Sequence, residues 1–315
     1  MTSQQVPDGA ALPPPHIEEV GPGIFAYLQP DGSWCLNNAA FLTDGRGVVV
    51  IDALATERRT RDLRAAIART TDKPVSTLIN THHHLDHTLG NAIFGPEVTI
   101  VAHDLCREEI VAAGDGVLAG AQRLFPAVDF GEVGVVPPML TFEESATLYA
   151  GDLAVELEYV GPAHTTNDVV AWIPERRLLI TGDVIFNQGT PFAAAGSIAG
   201  WLQTLEDLRE IGAETLIPGH GPVCGPEVID EVAAYLRFVQ EVARRGFEAG
   251  ATPLELARDT DLGRFAHLLD SERLVGNLHR AYSELRGEAL GAAIDFARMA
   301  EDMVAFNGGP VRCLA

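Results

Sequence analysis

A short stretch in the first third of the chain is rich in residues that bind metals. Residues 82–87 read HHHLDH, and His82, His84, Asp86 and His87 stand directly after the apolar run VSTLINT. Imidazole and carboxylate groups are ligands that Zn²⁺ prefers, and a loop after a strand can direct alternate residues at one point. A solvated histidine loop or a pH-sensing cluster is the alternative interpretation. The spacing predicts a metal site.

Three more residues of the same chemical type follow later strand-like runs. His164 comes after LAVELEYVG, Asp183 after RLLITG, and His220 stands in IPGHG after TLIP. In an α/β sheet the carboxyl ends of strands open on one crevice, where sites are built. We therefore expect these side chains to join residues 82–87 in a single site. His83 should point the other way along the loop and is not expected to be a ligand.

The elements that must hold this site follow an α/β pattern. Short runs rich in β-branched residues alternate with helical patterns between residues 47 and 113, and the middle of the chain is strand-rich. A helix is predicted at about 198–211 and a strand at 215–218. This alternation predicts the α/β class.

The chain divides into three segments. Residues 1–16 are polar and Pro-rich, which predicts a disordered N-terminal tail, and residues 17–250 hold all the candidate ligands. Thr252 to Glu255 has the form of a capping box, which predicts a C-terminal helical extension over 251–315. We place the boundary near Gly250.

Composition excludes several classes of function. The 315 residues include 22 basic and 44 acidic side chains, so the formal net charge is −22. Such a field repels phosphate backbones and anionic membranes, which disfavours nucleic acid and membrane surfaces as partners. No apolar run approaches the length of a membrane span, and the four cysteines show no zinc-knuckle or redox spacing. We expect free thiols and a cytoplasmic location.

The order of these motifs resembles the metallo-β-lactamase superfamily over about residues 17–248. Its H-x-H-x-D-H motif, a later His, a G-D pair and a G-H pair match HHHLDH, His164, TGD and PGHG here. The resemblance implies a four-layer αβ/βα sandwich with a binuclear metal site at one edge. It implies that one metal is held by His82, His84 and His164 and the other by Asp86, His87 and His220, with Asp183 bridging the two.

The resemblance also implies the metal and the chemistry. Di-iron members of the superfamily place Glu where this chain has His84, so two Zn²⁺ per chain are favoured, while iron and manganese stay open. Two divalent cations acidify a bridging water to hydroxide and polarise a substrate carbonyl. Asp86 is the expected catalytic residue, orienting the hydroxide and moving its proton. No G-x-S-x-G motif offers a serine nucleophile.

Aromatic residues near the ligands suggest a hydrophobic acyl or aromatic small-molecule substrate. The segment after Asp183 and the turn PDGSWCLNN at 30–38 are candidate pocket walls, and residues 114–140 are a candidate lid. Packing in the core, or a plain hairpin turn at residues 31–32, is the alternative for these walls. The expected substrate contacts are Trp34, Phe186, Asn187, Phe192 and Trp201.

The hypothesis for function is a binuclear zinc hydrolase that acts on an ester, thioester or lactone carbonyl. Flanking segments also resemble the cyclase/thioesterases of aromatic polyketide and antibiotic biosynthesis, which implies aldol closure of a second ring on a carrier-bound poly-β-ketone, followed by thioester release. The arginines of the helix at 57–70 could then dock an acidic carrier protein, or form a solvated face. The C-terminal helices could form a homodimer surface or pack within the chain.

Three alternatives belong to other classes. A mononuclear-iron persulfide dioxygenase-like oxidoreductase would need one iron and thiol substrates, and His87 and His220 argue against it. A β-lactamase-type amide hydrolase shares the ligands, and a non-catalytic scaffold would normally have lost some of them.

Overall fold

The computed structural model describes residues 12–43 and 45–315, and in this part of the chain the strands form two sheets. The strands of each sheet lie side by side in chain order. The first sheet contains β1 (His16–Gly21), β2 (Ile24–Leu28), β3 (Ala39–Leu42), β4 (Val48–Ile51), β5 (Val75–Ile79), β6 (Thr99–His103) and β7 (Leu140–Phe142). The second contains β8 (Ser145–Ala150), β9 (Leu153–Tyr159), β10 (Val169–Ile173), β11 (Leu178–Phe186) and β12 (Thr215–His220).

Ten α-helices connect or flank these strands in the described part of the chain. They are α1 (Glu57–Thr70), α2 (Leu85–Thr88), α3 (Asn91–Phe94), α4 (Asp104–Ala113), α5 (Gly116–Leu124), α6 (Ile198–Ile211), α7 (Glu227–Glu248), α8 (Pro253–Asp259), α9 (Arg273–Leu285) and α10 (Phe296–Asn307). Strands β4 to β7 are parallel, as are β11 and β12, and the other pairs are antiparallel. Parallel neighbours need crossover connections, and α1 and α6 supply two of them.

Three apolar cores separate four layers. Ile51 and Val155 belong to the core between the two sheets, where side chains from both inner faces meet. Leu63 of α1 packs on the outer face of the first sheet, and Trp201 of α6 packs with Leu236 of α7 on the outer face of the second. The chain therefore has the predicted four-layer αβ/βα sandwich. Among the described residues, no helix combines the length and apolarity that a bilayer crossing requires.

The C-terminal extension continues the outer helical layer. Leu274 and Leu278 of α9 belong to the same core as α6 and α7, so the extension shares its packing with the sandwich. Thr252 makes the predicted capping box with Glu255 and opens α8 four residues after α7 ends. Residues 286–295 contain no helix, however, so the segment is not helical throughout.

The N-terminal tail predicted over residues 1–16 falls mostly on residues 1–11, which lie outside the described part of the chain. Residues 12–15 carry no regular structure. Strand β1 begins at His16, one residue before the predicted start of the fold.

Candidate metal centre

The seven predicted ligands come together at the edge where the two sheets end. Residues 82–87 follow β5 of the first sheet. The second sheet supplies His164 from the loop between β9 and β10, Asp183 from within β11, and His220 from the last position of β12. The sequence predicts Asp183 just beyond the end of a strand, but Asp183 lies inside β11.

The side chains divide into two sets. Within each set, one ligand atom from every residue lies within 4.8 Å of the others. The first set is His82, His84, His164 and Asp183, and the second is Asp86, His87 and His220. This is the division that the sequence motifs imply, and the role of each residue as a ligand stays a prediction.

Asp183 lies between the two sets. Its Oδ1 is 3.2 Å from Nε2 of His87 in the second set, and its Oδ2 is 3.3 Å from Nε2 of His164 in the first. The same Oδ2 is 3.5 Å from Nε2 of His220. Oδ1 thus faces the second set and Oδ2 faces both, so this carboxylate could be shared by two cations.

Four histidines are anchored through Nδ1, which leaves Nε2 directed at the cluster. This arrangement is typical of metal-binding histidines, whose second nitrogen is held by a carboxylate, carbonyl or other polar group. The partners are Thr81 Oγ1 for His82 (3.0 Å), Asp52 Oδ2 for His87 (2.8 Å), the Phe192 carbonyl for His164 (2.5 Å) and the Gly32 carbonyl for His220 (2.9 Å).

Unpaired polar atoms show that these residues fit a cation. Nε2 of His82, Nε2 of His87 and Oδ1 of Asp183 are buried and make no hydrogen bond. A buried polar atom without a partner is costly, so most such atoms in proteins are paired. Here a divalent cation held by each set would satisfy them, and nitrogen-rich donors suit zinc better than magnesium or calcium.

The electrostatics of the first set favour neutral imidazoles. Burial, together with neighbouring histidines, lowers the pKa of His82 and of His84 well below the usual value. Burial likewise lowers the pKa of His164 to about 4. A neutral imidazole has the free lone pair that a metal ligand needs.

The second set binds protons more strongly. Burial acts to lower the pKa of His220, but the Asp183 and Asp86 carboxylates outweigh it and raise the pKa to about 9. The pKa of His87 is raised well above its usual value in the same way, against burial, by Asp183, Asp52 and Asp86. Burial acts to raise the pKa of Asp183, yet the surrounding histidines hold it well below its usual range. Asp183 is therefore ionised at neutral pH, as a carboxylate ligand must be.

The sequence motifs do not identify Asp52, whose carboxylate orients His87. Its Oδ1 accepts a hydrogen bond from the Thr81 amide, and its Oδ2 accepts from the Thr81 hydroxyl, each at 2.8 Å, while Oδ2 also holds His87. Asp52 has a φ of +66°, a conformation that L residues rarely adopt, at the turn that ends β4. The signal was an acidic residue directly after the buried run VVVI.

His83 points away from the cluster, as expected. Its Nδ1 lies against the side-chain amide of Asn167, and its backbone amide donates to Asn167 Oδ1 at 3.1 Å. The loop that carries the two neighbouring ligands is thereby fixed to the loop that carries His164.

Access to the centre is narrow. The side chain of Asp86 is 13% exposed, whereas that of Asp183 is 4% exposed. His84 is half-buried, and the remaining ligands are buried. A small molecule would therefore reach the ligands from the side of Asp86 and His84.

Of the predicted substrate contacts, Phe186 and Asn187 lie beside His220, and Trp201 lies in the core. The Phe186 ring stacks on His220, with ring centroids 5.2 Å apart and an angle of 9° between planes. The Asn187 side chain donates to the Pro222 carbonyl at 3.0 Å. Trp201 is completely buried, and its indole N–H donates to the Val184 carbonyl. Trp201 therefore offers no surface to a substrate, because α6 turns this ring into the core.

Trp34 and Phe192 lie in contact with each other. Their ring centroids are 5.3 Å apart, and Trp34 is half-buried while Phe192 is buried. Trp34 stands in a ten-residue connection between β2 and β3 rather than in a tight hairpin turn. Its ring also contacts Phe125, which follows α5. The predicted lid at 114–140 thus contains a helix and packs on this connection.

Comparison with known proteins fits this geometry. The model of the metallo-beta-lactamase superfamily matches residues 32–220, which is more than half of the chain. The chain belongs to this superfamily. Its members include metal-dependent hydrolases, and the matched segment contains all seven predicted ligands.

Individual relatives differ in what they act on. A linear primary-alkylsulfatase from Pseudomonas sp. (strain ATCC 19151) is 25% identical over 257 residues, which is 69% of this chain and 48% of that protein. The alpha subunit of a 2,4-dinitroanisole O-demethylase from Nocardioides sp. (strain JS1661) is 28% identical over 200 residues, or 59% of this chain and 54% of that one. This superfamily member thus spans about half the length of these two relatives.

Solved structures share the fold. A metallo-beta-lactamase from Pontibacter korlensis superposes with a TM-score of 0.57 at 19% identity, covering 71% of this chain and 99% of that one. The TMB-1 enzyme gives a TM-score of 0.58 at 22% identity, covering 72% and 99%. The family model ends at residue 220, so the C-terminal extension of this superfamily member lies outside the segment that the model matches.

Proposed function

We propose that this chain is a binuclear, zinc-dependent hydrolase that cleaves a hydrophobic acyl ester, thioester or lactone. The observation that carries the proposal is the position of Asp183, with one carboxylate oxygen near each of two complete ligand sets. A mononuclear site formed by the first set would leave Asp86, His87 and His220 with no cation to bind. The second set therefore favours a hydrolase over a mononuclear-iron oxidoreductase.

His82, His84 and His164 would hold one cation, Asp86, His87 and His220 the other, and Asp183 both. When bound, two divalent cations supply Lewis acidity that polarises a carbonyl and acidifies water. The protein contributes rigid donors, since Thr81, Asp52, Phe192 and Gly32 fix the histidine rings from behind.

Asp86 is the residue placed to move a proton. Its Oδ2 lies 3.3 Å from Nε2 of His220, and it is the most exposed carboxylate of the centre. Burial acts to raise its pKa, but His87 and His220 hold the pKa below its usual value. Asp86 is therefore ionised at neutral pH, so it can accept a proton from the attacking water and return it to the leaving group.

A cavity on the side of Phe186 is the proposed site for the apolar group of the substrate. It has a volume of about 270 Å³ and is lined by Phe186, Val232, Tyr235, Phe265 and Leu268, together with exposed polar side chains. A cavity of about 150 Å³ can hold benzene, so this one has room for a larger apolar group. None of the seven predicted ligands lines this cavity, and its link to the centre is the Phe186 ring, which both lines the cavity and stacks on His220.

The narrower form of the proposal is aldol closure and thioester release on a carrier-bound poly-β-ketone. It is supported by the resemblance of the flanking segments. On α1, the predicted docking surface for an acidic carrier, Arg59, Arg61 and Arg64 bond to Gln29, Glu57 and the Ile93 carbonyl. An assay with small thioesters tests thioester cleavage, the broader proposal, without a carrier protein.

The experiment compares zinc-loaded protein on acetyl and hexanoyl thioesters, lactones, a β-lactam and an alkyl sulfate. Burial of four additional methylene groups is worth about 3 kcal/mol, so we expect kcat/KM for the hexanoyl thioester to exceed that for the acetyl thioester by about 100-fold. Leu268→Trp, which fills the cavity, should reduce this preference. Leu262→Trp, at a half-buried position of the same segment that does not line the cavity, should not.

Hydrolysis of the alkyl sulfate or the β-lactam alone would contradict the proposed carbonyl class. Equal rates for acetyl and hexanoyl thioesters would contradict the role of the cavity.

A further inference from the structure

The C-terminal extension reaches the connection between β2 and β3. Oε1 of Glu272 accepts a hydrogen bond from the indole N–H of Trp34 at 2.7 Å. The guanidinium carbon of Arg273 lies 4.1 Å from the centroid of the same indole ring. Cys313, close to the C-terminus, donates from its thiol to the Trp34 carbonyl at 3.2 Å. Three residues from beyond the segment that matches the family model thus hold one tryptophan.

Arg273 contacts two aromatic rings. Its guanidinium carbon is 5.1 Å from the Phe186 centroid as well as 4.1 Å from that of Trp34, and its side chain is 2% exposed. It pairs with Asp270 at 3.1 Å and donates to the Thr190 carbonyl at 3.0 Å. Arginine suits such a place, since its planar cation can stack on aromatic faces while it donates in the plane.

Phe186 and the connection that carries Trp34 both also contact His220, a predicted metal ligand. On one side, the Phe186 ring stacks in parallel on the His220 ring. On the other, the connection that carries Trp34 presents the Gly32 carbonyl, which accepts from Nδ1 of His220 at 2.9 Å. This approach is close, because a Cβ on Gly32 would lie 2.7 Å from the Gly221 amide nitrogen.

We propose that Arg273 is a positioning residue that fixes His220 through two of its contacts, the Phe186 ring and the Gly32 carbonyl, and thereby sets the metal affinity of the Asp86, His87 and His220 set. The inference rests on the proposed binuclear centre and assigns to the C-terminal extension a part in completing it. The ring of His220 must point Nε2 at the cation, and a metal site loses affinity when the groups that orient a ligand are removed.

Arg280 offers a matched control on the same helix. It is also a buried arginine of α9, and it donates to the carbonyls of Ala194 and Ala292 at 2.9 and 2.7 Å. Neither of those partners is a ring stacked on a ligand. Arg273→Met and Arg280→Met therefore remove the same charge from the same helix, and only the first releases Trp34 and Phe186.

The experiment measures zinc binding by competition with a chromophoric chelator, without any substrate. His84→Ala, which disables the first set, serves as the background in which the second set is measured alone. We expect Arg273→Met to weaken the affinity of the second set by about 10- to 100-fold, Arg273→Lys to recover only part of the loss, and Arg280→Met to leave it unchanged within about threefold. Trp34→Leu, at a half-buried position, should weaken binding in the same direction.

Circular dichroism and thermal unfolding verify that each variant folds. If Arg273→Met fails to fold, Trp34→Leu still tests the inference. Parental affinity in both Arg273→Met and Trp34→Leu would overturn the inference, as would an equal loss in Arg280→Met. If the parent chain itself bound fewer than two zinc ions, the proposed function would fail along with it. If the parent bound two and the Arg273 variants were unaffected, only the inference would fail.

Discussion

Nδ1 of His87 donates a hydrogen bond to Oδ2 of Asp52 at 2.8 Å, and both side chains are buried. Asp52 follows β4 and His87 follows β5, so two parallel neighbouring strands place a carboxylate behind a predicted ligand. The carboxylate fixes the tautomer of His87 and makes its Nε2 more basic.

Replacement of this carboxylate should weaken metal binding without unfolding the chain. We expect Asp52→Asn to reduce the zinc affinity of the second set by about 10- to 100-fold, because the amide keeps the shape of the carboxylate but not its charge. Chelator competition measures the change. Asp152→Asn, at an exposed turn between β8 and β9, is the control and should bind zinc as the parent does. An Asp52 variant with parental affinity would show that His87 is oriented by other contacts.

Zinc affinity should depend on pH through the second set. The pKa of His220 is raised to about 9, so at neutral pH its ring is protonated before a cation binds and must lose that proton on binding. Protons on His220 therefore compete with zinc below pH 9, and this proton alone should make zinc affinity rise about tenfold per pH unit up to that pH. The raised pKa of His87 adds a second proton. Calorimetry in buffers of different ionisation enthalpy measures the protons released, and a value of zero at pH 7 would contradict this prediction.

Zinc should also stabilise the fold, since it binds atoms that are buried without partners in the folded chain. At a free concentration of about 1,000 times Kd, each site adds about 4 kcal/mol to the free energy of unfolding. Thermal unfolding with zinc, and after removal of metal by a chelator, measures the difference. Magnesium is the control, because nitrogen donors bind it poorly. An equal effect of the two ions would point to a non-specific interaction.

The α/β class and the candidate ligands could be predicted from the sequence because their signals are local. A six-residue motif and residues after strand-like runs mark where ligands can stand, and helix α1 has the predicted bounds of 57 and 70. The four-layer sandwich and the division of the candidate ligands into two sets were predicted only through the resemblance to the superfamily, because both depend on how segments far apart along the chain meet.

The parts that could not be predicted depend on contacts between distant residues. Glu272 lies 238 residues from Trp34, and no periodicity in either segment indicates that they meet. The sequence pattern predicts a substrate contact at Trp201, because an aromatic residue after a ligand strand fits a pocket wall as well as a core. The packing of α6 against the second sheet, which only the tertiary structure shows, decides between the two.

The position of Trp201 gives a prediction of its own. Trp201→Phe removes the hydrogen bond to the Val184 carbonyl and leaves space behind the His164 ring. We expect a loss of about 1–3 kcal/mol in the free energy of unfolding, with KM unchanged, because the ring does not face the substrate. Denaturant unfolding and steady-state kinetics measure both. A raised KM with parental stability would restore Trp201 as a substrate contact.

The central claim is that one carboxylate, Asp183, joins two metal sites, and elemental analysis tests it most directly. The parent chain, purified and equilibrated with zinc, should contain about two zinc ions per chain, and Asp183→Asn should retain one or fewer and lose more than about 100-fold of its hydrolytic activity. A parent that holds a single ion, or an Asp183→Asn variant that holds two and remains fully active, would contradict the account.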